Sequence, residues 1–183
     1  MKIGSVVSLS FFLSFAIEGS VVPQSGTVAI ALTEKGVGPI TSTTPFKITT
    51  IAKLFPTLRV VAGTGSFEGF QFPTIRVFDG KTELFIIGQG KREKTIGGIA
   101  IKSDKVVYNG KGKIGSLYSD IYGDTVSDQC DPGAEDDTGK VFCRASPSSH
   151  IRFVFAPVSD SDAVLPWTQA LKRMRISEIG WRP

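Results

Sequence analysis

The sequence predicts an all-β fold, an antiparallel sandwich or barrel with one short C-terminal helix. Two observations carry that expectation. Between Arg59 and Gly112, β-branched and aromatic runs about 5–6 residues long alternate with tight-turn signals about every 8–12 residues. No stretch of that block sustains the 3.6-residue apolar period of an amphipathic helix.

The elements follow in chain order. Thr27 to Leu32 reads as a first strand, and Gly36 to Pro45 as a loop rich in Gly, Thr and Pro. Phe46 to Phe55 alternates like a strand and is stopped by Pro56. Leu58 to Gly63 and Ser66 to Phe72 lead into the hairpin block, with a bulge expected at Gly69. Pro73 to Phe78 and Thr82 to Ile87 flank Asp79-Gly80-Lys81, where glycine accepts positive φ. Ile96 to Ile101 and Val106 to Tyr108 flank a polar turn, Asn109-Gly110 offers another, and Lys113 to Tyr122 follows. Past the polar loop from Gly123 to Gly139, His150 to Val158 is a strand with Ile151, Phe153 and Phe155 on one face. The helix is placed after Ser161 or Asp162 as N-cap, or from Pro166, with Trp167, Leu171 and Met174 on one face. Arg173 to Trp181 closes the chain as a strand whose alternation slips near Ser177.

The N-terminus adds a compartment. Met1-Lys2 is a short positive start, Ile3 to Ile17 is uncharged and mostly apolar, and Gly19-Ser20 supplies small residues. This is the layout of a secretory signal peptide over 1–20, leaving one β-rich domain over 21–183 and no transmembrane segment once removed. Cys130 and Cys143, the only two cysteines, read in an exported chain as one disulfide. The 183 residues, 41% apolar and 21% charged, are ordinary for a single globular domain with a real core.

Charge is unevenly spread. Lys91, Arg92, Lys94, Lys102, Lys105, Lys111 and Lys113 face only Glu93 and Asp104, a local excess above the whole-chain +4. If alternate turns share one sheet end, 91–94 and 109–113 become neighbours and attract phosphate, sulfated glycan or anionic lipid. Only Tyr108 interrupts these cations, so the aromatic stacking that single-stranded nucleic acid needs is missing. The acidic loop, with Asp128, Asp131, Glu135, Asp136 and Asp137, offers oxygen ligands for Ca²⁺ but lacks the EF-hand spacing. A solvated loop is the commoner outcome, and no metal or other cofactor is assigned. Basic and acidic regions on one molecule also favour pairing between copies, a homo-oligomer.

Catalytic constellations do not assemble. Gly63 to Gly69 resembles a kinase glycine-rich loop, but its third Gly falls one residue late and no companion motif follows, so it reads as a turn. His150 is the only imidazole, and the cysteines are assigned to each other, which leaves no catalytic residue. Glu68 or Glu83 with an Asp keeps two-carboxylate glycan chemistry formally open.

The leader, the late cysteine pair and the Val141-Phe142-Cys143 run before a strand resemble small secreted fungal proteins of the effector and allergen type. That resemblance implies an extracellular virulence role. The expected function is a secreted, non-enzymatic binding protein that meets a host or cell-wall protein or an anionic glycan through a charged β surface. A self-assembling jelly-roll coat or filament subunit, and a carbohydrate-active enzyme, are the alternatives.

Overall fold

A computed structural model describes residues 29–67, 69–91, 94–109, 111–158 and 167–183. Twelve strands among them form two sheets. β1 (Ile30–Thr33), β2 (Gly36–Val37), β3 (Ile40–Thr41) and β8 (Val106–Tyr108) make a small sheet in the order β3-β2-β1-β8. The large sheet contains β4 (Arg59–Phe67), β5 (Phe70–Asp79), β6 (Thr82–Gln89), β7 (Ile96–Ile101), β9 (Cys130–Pro132), β10 (Val141–Arg144), β11 (Ile151–Ala156) and β12 (Arg175–Trp181). Its order is β4-β5-β6-β7-β12-β11-β10-β9. The mostly-β expectation holds: of the sandwich and barrel alternatives, the strands form two sheets, with a few short helices beside them. One pair departs from the antiparallel rule, since β1 runs parallel to β8 with Ile30 opposite Val106.

Strand alternation builds the core. Register aligns Ile75–Ile87–Ile99–Trp181–Ile151 as one rung of the large sheet and Val77–Phe85–Ile101–Ile179–Phe153–Cys143 as the next. All of these side chains are buried. Leu32, Val37, Ile40 and Val106 of the small sheet cover that inner face, joined by residues from three short helices. The β11–β12 ladder skips Ser177, so the slip read in the sequence is a real irregularity.

Local structure departs from sequence periodicity where burial overrides propensity. Phe46 to Phe55, expected as a strand, contains helix α1 (Ile48–Leu54). Its β-branched residues favour a strand, but helical spacing brings Ile51 and Phe55 together into the core, with Phe55 edge-on to Phe85 at 5.6 Å. Pro56 follows the helix as the expected stop. Lys113 to Tyr122 likewise ends in α2 (Tyr118–Tyr122), started by Asp120 Oδ2 accepting the Leu117 N–H at 2.8 Å. The C-terminal helix α3 (Trp167–Arg173) is where it was expected, with Leu171 and then Met174 buried. Its candidate caps Ser161, Asp162 and Pro166, like the leader over 1–20, lie outside the described residues.

Glycine turns punctuate the sheets. Gly80, at φ 58°, closes the β5–β6 hairpin as expected. Gly69, at φ 81°, is no bulge: Phe67 pairs with Phe70, so it belongs to a two-residue hairpin turn. Gly63 and Gly65, read as part of a turn, are strand residues of β4. At Gly36, φ is 151° and a Cβ would sit 1.7 Å from the Ile40 carbonyl oxygen, so only glycine fits this small-sheet corner.

One carboxylate joins the layers. Glu34, in the β1–β2 turn, accepts hydrogen bonds from Ser149 Oγ at 2.6 Å and the His150 N–H at 2.9 Å. Tyr108 donates its hydroxyl to the same carboxylate at 3.4 Å, and Trp181 Nε1 donates to the Glu34 carbonyl at 3.2 Å. Cys130 and Cys143 are disulfide-bonded directly across β9 and β10.

Two measurements follow. Glu34→Ala strands two buried or half-buried donors, and loss of hydrogen bonds to a charged group lowers unfolding free energy by about 1.5–3 kcal/mol in denaturant titration. The chain's three tyrosines, Tyr108, Tyr118 and Tyr122, all join one aromatic cluster with Phe153 and Phe155. Burial raises all three hydroxyls above 10.0, with the neighbouring Glu34 charge adding to it at Tyr108. The unfolded state therefore loses these protons first as pH rises, and stability declines above about pH 10, where unfolded tyrosine ionises. Phenolate absorbance should rise together with loss of tertiary structure, and the fall should be shallower in Tyr122→Phe. A phenolate signal well ahead of unfolding would show the cluster to be open to water.

Candidate binding face

The same alternation that buries one face of the large sheet displays the other. Successive outward positions align Arg76 of β5, Ile86 of β6, Ala100 of β7, Gly180 of β12, Arg152 of β11 and Arg144 of β10 in a single rung. The next rung on one side carries Thr74, Gly88 and Gly98, and on the other Glu178, Val154 and Phe142. The sheet's exposed face is therefore a trough: small or glycine positions in the middle strands, and long cationic side chains toward β10.

Two grooves occupy this face. One of about 500 Å³ is lined by Phe142, Arg144, His150, Arg152, Val154 and Arg182. A second, of about 610 Å³, runs over Gly65, Phe72, Gly88, Gly98, Ala100 and Lys102. Glu178, Gly180 and Arg182 line both, so the two are continuous. At Gly180 a Cβ would meet nothing within 4 Å, so packing does not demand the glycine. A strand glycine weakens a sheet, and here it leaves the backbone of the open face uncovered.

The electrostatics are unbalanced there. Arg144 stands directly opposite Arg152 across β10 and β11, and like charges in that position destabilise a sheet. Arg152 lies over the Phe142 ring at 5.6 Å, and among the described residues the Arg144 guanidinium reaches only the Pro147 carbonyl, at 3.5 Å. Arg182 follows β12, its N–H bonded to the His150 carbonyl. Among the described residues no carboxylate pairs with any of these three arginines, whereas Arg76 is neutralised by Glu83 at 2.5 Å. Glu178, the one acid lining the grooves among the described residues, is held by Lys102 at 2.9 Å.

The cations expected to form one patch are dispersed. Lys102 and Lys91 border the trough beyond opposite ends of β7, with Lys91 exposed. Lys105 is paired with Asp79 at 2.5 Å. Lys94 sits in the β6–β7 turn at φ 85°, and Arg92 lies outside the described residues. Lys111 and Lys113 are exposed beside the segment where Gly115 bonds Ile176, at the start of β12. The β6–β7 turn lies beyond the other end of β12, past Trp181, so 91–94 and 111–113 are not neighbours. Lys91 and Lys102 thus belong to the trough, and its strongest cations are arginines that sequence density does not flag. Alternation in Ile151 to Phe155 does put Arg152 opposite the apolar face; only the register reveals Arg144 beside it.

Other candidates have no comparable geometry. Asp137 pairs with Lys140 at 2.7 Å, Asp128 accepts from Gln129, Asp131 is exposed on β9, and Glu135 opens a 3-10 turn with Asp136. Among the described residues no group of acids, histidines and cysteines is placed to hold a metal ion. Glu83 is committed to Arg76, Glu68 lies outside the described residues, and His150 Nδ1 contacts the Arg182 carbonyl at 2.8 Å. A larger cleft of about 730 Å³ lies between the small sheet, α1 and the β5–β6 hairpin, lined by Ile30, Leu54, Phe55, Leu58 and Leu84. Its charged groups, Asp79 and Lys105, neutralise each other. No helix among the described residues is long and apolar enough to cross a membrane.

Comparison with known proteins gives this architecture relatives. The family model described as "Protein of unknown function (DUF1131)" matches residues 21–183. The Escherichia coli (strain K12) "Uncharacterized protein YfeY" is 28% identical over 153 residues, covering 82% of this chain and 78% of that protein. The crystal structure of uncharacterized yfeY from Escherichia coli superposes with a TM-score of 0.66 at 27% identity, covering 84% of this chain and 99% of that one. These matches overturn the resemblance to fungal effector and allergen proteins. That resemblance rested on a leader-like segment and one cysteine pair, features set by compartment and loop closure, which unrelated exported proteins share.

Proposed function

The chain belongs to the DUF1131 family, and from that premise we propose that it is an exported, non-enzymatic binding protein for an acidic glycan. The ligand lies in the trough across the open face of the large sheet. The observation that carries this reading is Arg144 facing Arg152 with Arg182 nearby and no carboxylate partner among the described residues. An anion spanning the three guanidinium groups would relieve their mutual repulsion, and guanidinium forks match carboxylate or sulfate oxygens in pairs. The joined grooves favour an extended polymer over a compact metabolite, and glycine positions let a chain lie close to the backbone. Phe142 and Phe72 supply apolar surface at the two ends, as sugar rings require.

Export is supported by the signal-peptide layout of 1–20, by the Cys130–Cys143 disulfide and by a family match that starts at residue 21. Intact mass of the natural protein before and after reduction tests this directly. The expected result is loss of about the first twenty residues and a two-dalton gain on reduction. A full-length chain with free thiols would reject export.

The ligand is tested by calorimetry with two probes, a polyuronate and its neutral analogue. Binding is expected to the polyuronate alone and to weaken steeply with salt. Each of Arg144→Gln, Arg152→Gln and Arg182→Gln should weaken it roughly tenfold, the scale of one hydrogen bond to a charged group. Gly180→Leu, which leaves charge unchanged, should block the trough while the fold persists. Equal binding of the neutral polymer, or indifference to all four substitutions, would sink the reading.

A further inference from the structure

The two edges of the large sheet are built differently. β9, the edge beyond β10, has three residues, Cys130–Pro132. Pro132 lacks an N–H, Asp131 is exposed, and the disulfide ties the strand to its neighbour. Short length, proline and charge are the means by which proteins discourage strand addition. β4, at the opposite edge, has nine residues, and after Arg59 it contains no charge and no proline.

The polarity of that edge can be worked out residue by residue. The two-residue turn after Phe67 makes Phe67–Phe70 a hydrogen-bonded pair, and bonded and non-bonded pairs then alternate along the unbroken β4–β5 register. Val60, Ala62, Thr64 and Ser66 fall at the non-bonded positions, so their N–H and C=O groups point away from β5. Pro73 agrees independently. It faces Thr64, and a residue without an N–H fits only a position where β4 needs no donor from it. Among the described residues no backbone hydrogen bond reaches these four residues from outside the sheet.

We propose that this edge pairs with the β4 of a second copy, antiparallel about a two-fold axis at Gly63, to give a dimer with one continuous sheet. Self-pairing uses every free group: Ala62 meets Thr64 of the second copy and Val60 meets Ser66, each pair exchanging two bonds, about eight in all. No like charges come opposite, because Arg59, the strand's one charge, lands opposite Phe67 of the second copy. At the axis Gly63 leaves the backbone bare; its own hairpin already requires glycine, since a Cβ would lie 2.8 Å from Thr74 Oγ1. An isologous contact of this kind closes on itself and stops at two copies, and the blunted β9 edge prevents growth on the far side.

Sedimentation equilibrium of the natural protein across the micromolar range is the test. The dimer mass is expected. Thr64→Pro removes one outward N–H that β5 does not use, so it should give a folded monomer with unchanged far-UV circular dichroism. Should that variant not fold, Thr64→Lys places a charge beside the axis in each copy and should shift the dissociation constant upward at least tenfold. Ala62→Cys/Thr64→Cys should form a reducible covalent dimer. A wild-type protein that stays monomeric, or a folded Thr64→Pro or Thr64→Lys variant that remains fully dimeric, overturns the proposal. Either result leaves the arginine trough untouched, because the edge and the trough share none of the substituted residues.

Discussion

Glu34 holds the two sheets together, and most of the surface logic follows from where it sits. It occupies a two-residue corner between β1 and β2, yet its partners come from the turn before β11, from β8 and from the end of β12. Three donors satisfy one carboxylate, and its own carbonyl receives the Trp181 indole, the largest fully buried side chain. A four-stranded sheet of very short strands would not persist by itself, since few backbone pairs offset its ordering entropy. Pinned through Glu34 and packed by Leu32, Val37 and Ile40, it becomes the lid of the core. Because that lid covers one face only, the opposite face of the large sheet is left to meet solvent or a ligand.

How far this was legible depends on what sets each feature. Strands over Thr82–Gln89, Ile96–Ile101 and Ile151–Ala156 were readable because alternation and turn chemistry agree there. The disulfide was readable because two cysteines permit one pairing. Phe46 to Phe55 was not: its β-branched residues speak for a strand, and only burial of Ile51 and Phe55 in the core, with Phe55 against the distant Phe85, makes a helix better. The parallel β1–β8 pair is hidden for the same reason, as nothing local says which strand lies beside Ile30.

The candidate site shows a sharper limit. Counting cations selects the segment from Lys91 to Lys113, where lysines guard turns and two of them are quenched by Asp79 and Glu178. Arg144, Arg152 and Arg182 are scattered singly through the last forty residues and become a cluster only through the β10–β11–β12 register. Local density measures solubility well and recognition poorly. What separates the two is whether each charge already has a partner.

Edge and trough also bear on each other. In the strand order β4-β5-β6-β7-β12-β11-β10, six spacings separate the free edge from Arg144, about 29 Å at a typical inter-strand distance. Pairing through β4 would set the two open faces side by side as one surface, with an arginine cluster toward each far end. A compact anion could satisfy one cluster at a time, whereas a long polymer could engage both. The second contact would then be intramolecular and strengthened by effective concentration without any new residue. Glycines along the middle of that surface make sense in the same picture, because a polymer crossing from one cluster to the other must pass over Gly180, Gly98 and Gly88 unobstructed.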